Sequence, residues 1–126
     1  MHPTNCLRLA ALSAGTAVGL GAFAAHGMKG SYDAVALQTF ETGVRYQMYH
    51  GLALGLCAVL AQLGWRIRAA ATCFLLGIVL FSGSLYGLAL LDARWLGPVT
   101  PVGGVAFLAG WALLLWSSRR APTAAA

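Results

Sequence analysis

Charge is nearly absent from four stretches of the chain, Leu9 to Ala25, Tyr46 to Trp65, Ala69 to Leu91 and Trp95 to Ser118. A helix crosses a bilayer with about 20 mostly apolar residues, and about 17 can suffice, so each stretch is long enough to span. Together they occupy most of the 126 residues and leave only short loops. The pattern predicts an all-α integral membrane protein. It is expected to be a four-helix bundle forming one transmembrane domain over residues 1–126, with spans at about 8–26, 44–64, 69–91 and 101–118.

The longest connection, Gly30 to Gly43, is expected to hold a short interfacial helix between the first and second spans. Ser31 can cap it, and Val35, Leu37, Phe40 and Val44 recur with an irregular helical rhythm. Arg66 to Arg68 reads as a tight turn. Before the fourth span, Thr100 followed by Pro101 is a start signal: a hydroxyl cap ahead of a residue lacking the donor that a first turn leaves unpaired. Glycines four apart, Gly15 and Gly19, Gly51 and Gly55, Gly83 and Gly87, put a smooth groove on each of the first three helices. Such grooves suit close packing within one bundle or, on one helix, a homodimer face.

Composition agrees with this layout. The chain is 60% hydrophobic and 9% charged, against roughly a quarter charged in soluble domains. Its net charge of +5 is explained by position. Arg8, Arg66, Arg68, Arg119 and Arg120 share one side with no acid, whereas Lys29, Arg45 and Arg94 on the other side are balanced by Asp33, Glu41 and Asp92. The positive-inside rule then places both termini in the cytoplasm or an organelle matrix. No basic face with interleaved aromatics points to nucleic acid. Arg8, the apolar run and Ala22-Phe23-Ala24 imitate a signal peptide, but the run exceeds a usual h-region and is read as an uncleaved span. Cys6, Cys57 and Cys73 are odd in number and widely spaced, which suggests neither a disulfide framework nor a zinc site.

Polar residues gather on the outer side. The candidate cluster is His26, Glu41, Arg45, Tyr46, Tyr49, His50, Ser82, Ser84 and Tyr86. Glu41 and Arg45 are spaced for a helical ion pair. His50 lies about 7 Å deeper than Arg45 by helical rise, and Ser84, Tyr86 and Gly103 are expected near that layer. An ionisable residue below the interface marks a ligand or ion path. In the structural alternative, Tyr46 and Tyr49 are belt residues, Arg45 snorkels, and His50 and the serines bond neighbouring helices. A haem or metal site from His26 and His50 would need a third ligand or equal depth, and the spacing supplies neither. No metal or cofactor is expected. No GxSxG, HExxH or CxxC is present and no carboxylate lies deep in a span, so no enzymatic activity is expected.

Four ordered motifs carry a resemblance: Gly21-Ala22-Phe23-Ala24-Ala25-His26-Gly27, Tyr46-Gln47-Met48-Tyr49-His50, Phe81-Ser82-Gly83-Ser84-Leu85-Tyr86, and Leu96-Gly97-Pro98-Val99-Thr100-Pro101-Val102-Gly103-Gly104. With them the chain resembles the YgdD/YwdK-like small membrane proteins, domain of unknown function 423, with an animal relative named transmembrane protein 256. It departs at Ala24, where glycine is expected, and at Gly51, where alanine is. The resemblance implies four transmembrane helices in a bacterial inner membrane and no known activity. The leading functional expectation is a structural or accessory membrane protein that packs against lipid, a larger membrane complex or further copies of itself. The alternatives are a small oligomeric transporter or permease with an outer polar vestibule, and a redox or haem-linked subunit.

Overall fold

The computed structural model describes residues 1–119; Arg120, one of the orienting arginines above, lies outside the described residues. The first helix, α1 (Pro3–His26), opens on His2, whose Nδ1 accepts the Thr4 amide at 3.3 Å, with Pro3 at the first helical position. It closes where the Gly27 amide bonds back to the Phe23 carbonyl. Gly30, at φ +81°, then turns the chain.

The second helix, α2 (Ala34–Gln62), starts at Asp33, whose carboxylate accepts the Ala36 amide at 2.7 Å. This corrects the expected interfacial helix. Residues 34–43 are the first turns of one continuous helix of 29 residues, and the cap is Asp33 rather than Ser31. No proline interrupts it, and Gly43, a residue of low helix propensity at the join, is held against Leu85 and Tyr86. Gly64, at φ +84°, ends the turn after α2, with the Trp65 amide donating to Leu60.

The helices α3 (Arg68–Gly77) and α4 (Gly83–Leu91) are joined through a π-helical turn, Ile78–Ser82, into one rod. Asp92, in the left-handed region at φ 47°, stops it. After a 3₁₀ turn, Arg94–Leu96, comes α5 (Val99–Ser118). It begins two residues before the expected Pro101. Thr100 is therefore inside the first turn, and its hydroxyl meets Ser84 instead of capping the helix.

The described chain is thus all-helical, with four long helical segments. Three of them, Pro3–His26, Arg68–Leu91 and Arg94–Ser118, are long and apolar enough to cross a membrane. The remaining one, α2, is the longest but carries Glu41, Arg45, Gln47 and His50. It is also the most enclosed, with α1 along one side and α3, the π turn and α4 against the rest, while α5 packs on α3 and the π turn.

Two apolar clusters result. One, at the arginine-rich end, joins Cys6, Leu54, Cys57, Ile67, Phe74 and Phe107. The other, at the opposite end, joins Ala24, Met28, Phe40 and Ala89. Lipid gives helices no hydrophobic reason to associate, so close approach through small residues has to supply dispersion contacts. Gly103 lies directly on the Phe81 backbone, and Gly51 sits where a Cβ would come 2.9 Å from the Ser13 hydroxyl. Gly15 and Gly19 have nothing within 4 Å of a Cβ, so the groove on α1 faces away from the other helices.

This contrast generates a prediction. Gly103→Ala forces a methyl onto the Phe81 backbone and is expected to cost about 1–3 kcal/mol. Gly15→Ala, in open space, is expected to stay within about 0.5 kcal/mol. Thermal unfolding of the two variants in one detergent, followed by tryptophan fluorescence, checks the difference. Equal midpoints would contradict this packing.

Candidate functional site

Between the two apolar clusters lies a polar layer with Gln47 at its centre. Its Nε2 donates to the Ser13 carbonyl at 2.9 Å and to Thr16 Oγ1 at 2.8 Å, and its Oε1 accepts the Tyr86 hydroxyl at 2.7 Å. Ser13 returns a bond from its hydroxyl to the Gln47 carbonyl at 3.3 Å. Both amide hydrogens are spent on α1 and the amide oxygen on α4, which fixes which way the group points. One side chain on α2 thereby ties three helices together.

Two further bridges flank it. Ser82, fully buried in the π turn, donates to the Gly43 carbonyl of α2 at 2.7 Å. The hydroxyls of Ser84 and Thr100 meet at 2.6 Å, joining α4 to α5.

His50 completes the layer. Its Nδ1 is 2.8 Å from the Tyr46 carbonyl, one turn back, and its Nε2 is 3.1 Å from the indole Nε1 of Trp111 on α5. An indole N–H can only donate and a carbonyl can only accept. The ring is therefore neutral, with its proton on Nδ1 and its Nε2 lone pair turned to Trp111. It also lies flat on Phe107, with ring centres 3.5 Å apart and planes at 9°. Trp111 is positioned by this bond.

The expected cluster divides accordingly. His50, Ser82, Ser84 and Tyr86 belong to the layer, whereas Tyr46 lends it only a backbone carbonyl, its ring being exposed. Glu41, Arg45 and Tyr49 do not: Arg45 and Tyr49 are exposed, and Arg45 donates to Thr42 Oγ1 at 3.2 Å without forming the expected ion pair with Glu41. His26 ends α1 at the surface, thirteen residues beyond the Ser13 that faces Gln47, about 20 Å along the axis. It cannot share a ligand with His50. Among the described residues, no three His, Cys, Asp or Glu side chains gather as a metal-binding group.

The candidate cluster left out Gln47, Ser13, Thr16 and Trp111, although Gln47 counts among the outer-side polar residues. The available signal was the amide itself, an uncharged but strongly polar group at the second position of the stretch Tyr46 to Trp65. Tyr46, His50, Phe81, Phe107 and Trp111 also wall a cleft of about 510 Å³ between α2 and α5, with Gly104 at its edge. Both ring nitrogens of His50 are already bonded within the protein and one ring face lies on Phe107.

An all-helical chain with membrane-spanning segments and an interhelical polar layer defines a small integral membrane protein. A family model described as "Protein of unknown function (DUF423)" matches residues 20–104. The chain belongs to that family. It is 47% identical to the UPF0382 membrane protein YwdK of Bacillus subtilis, the match covering 85% of this chain and 89% of the relative. It is 48% identical to the UPF0382 inner membrane protein YgdD of Escherichia coli, covering 86% and 85%. A UPF0382 membrane protein of Haemophilus influenzae is 43% identical, covering 89% and 91%. No solved structure matches.

The bond between Trp111 and His50 is testable. Trp111→Phe leaves Nε2 unpaired beside apolar rings and is expected to cost about 1 kcal/mol, the scale of interhelical hydrogen bonds in membranes. In the intact protein, ¹⁵N NMR of labelled histidine is expected to show His50 protonated on Nδ1 alone. A proton on Nε2 would contradict the assignment.

Proposed function

We propose that the chain is a non-catalytic accessory protein of a bacterial inner membrane, crossing it four times as a bundle and acting by packing against other membrane components. One observation carries this reading: no buried side-chain nitrogen or oxygen among the described residues lacks a hydrogen-bond partner. The polar layer is consumed internally, so it serves to hold helices in register. A transport reading gains no support, because His50, the titratable group that would line the vestibule, has both ring nitrogens engaged within the protein. A shared haem or metal site for His26 and His50 gains none either, given their separation.

The fourth span in this reading is α2. Its 29 residues extend about 43 Å, beyond the roughly 30 Å hydrocarbon core. The first turns, with Glu41, therefore stand in the outer interface and Arg45 snorkels to it. Both termini and the unbalanced arginines lie on the cytoplasmic side.

The open face of α1 at Gly15 and Gly19 supports contact with a partner helix, since small residues let backbones approach. Affinity purification from native membranes in mild detergent is expected to return a reproducible partner, either another membrane protein or a second copy. Gly15→Leu is expected to lose it without a change in melting temperature. A wild-type chain that always purifies alone would overturn the proposal.

A further inference from the structure

We propose that the arginine-rich end carries a binding site for one anionic glycerophospholipid, its phosphate held by Arg66 and Arg68 and an acyl chain lying between α1 and α2. The inference rests on the reading that this end lies at a membrane surface.

The turn after α2 brings both arginines to the mouth of a cleft of about 480 Å³, closed on one side by the start of α1 at Pro3 and floored by Ala61, Trp65 and Ile67. Both are exposed, and neither guanidinium has a hydrogen-bond or ion-pair partner among the described residues. The acids Asp33, Glu41 and Asp92 all lie toward the opposite end, so no acidic side chain among the described residues neutralises the pair. A second recess begins on the far side of Arg66, against Ala69, Leu113 and Trp116, with the Arg119 guanidinium 5.3 Å from the centre of the Trp116 ring. Cationic clefts between helices on the cytoplasmic side are suited to acidic lipid headgroups, and guanidinium forks match phosphate oxygens.

The shape of the site favours a lipid over a free anion. A shallow groove of about 170 Å³ meets the headgroup cleft at Pro3 and continues along Leu7, Ala58 and Val59. Its walls are mostly apolar and, with Leu7 and Val59 exposed, it is open to the surroundings. A headgroup on the arginines thus places a hydrocarbon tail beside a complementary surface. Free phosphate would use only the polar half.

Native mass spectrometry of the full chain in mild detergent tests this, with added dioleoyl phosphatidylglycerol, dioleoyl phosphatidylcholine or inorganic phosphate. The wild type is expected to retain one phosphatidylglycerol about thirtyfold more strongly than phosphatidylcholine, whose choline cation offsets the phosphate charge that the two arginines face. Excess inorganic phosphate is expected not to displace it. The preference should disappear in R66Q/R68Q, fall in R66Q alone and persist in R94Q, whose arginine pairs with Asp92 at the other end. Tryptophan melting curves confirm that each variant is folded. Equal retention of the two lipids, displacement by phosphate, or an undiminished preference in R66Q/R68Q would overturn the site. The accessory reading is judged by protein co-purification, which this experiment does not measure.

Discussion

A buried amide must find its partners within the protein, and Gln47 meets that constraint through four bonds to α1 and α4 that include its own carbonyl. The rest of the interior is arranged around it. Ser13 can reach it because Gly51, one turn further along α2, leaves room for that serine. Tyr86 can reach it because Gly43, one turn earlier, leaves room for the tyrosine ring. A glycine on each side of one glutamine thus sets the spacing of α2 from two neighbours, and the two apolar clusters fill the space toward either end.

The π turn belongs to the same arrangement. It places Ser82 against the Gly43 carbonyl and the Phe81 backbone against Gly103, so α2 and α5 are both registered on one irregular turn. Widened turns of this kind are uncommon and often mark functional sites. Here its visible consequence is to bring α5 close enough for Ser84 to meet Thr100 and for Trp111 to meet His50.

The membrane character and the four helical segments were legible from the absence of charge, and the general position of the polar layer from the uneven spread of polar residues. His50 was legible because an ionisable ring in an apolar stretch stands out. What spacing could not supply was helix rotation. Gly15 and Gly19 make the same pattern as Gly51 and Gly55, yet one pair faces outward while Gly51 packs on Ser13. For the same reason Gln47 did not stand out from Glu41 and Arg45, which share its helix but point elsewhere. The interfacial helix was misread because the rhythm of residues 34–43 is weak, while the absence of a breaker before the span, which decides continuity, was given too little weight.

The account depends on Gln47 and Tyr86 acting together as a structural lock. A double-mutant cycle of Gln47→Leu and Tyr86→Phe, measured as unfolding free energy in bicelles, tests this directly. Each single change should destabilise, and the pair should couple by about 0.6 kcal/mol and by no more than about 1.7, the mean and the maximum for interhelical hydrogen bonds in a bilayer. Strictly additive losses, or single variants as stable as the parent, would contradict it and leave the polar layer free for another role.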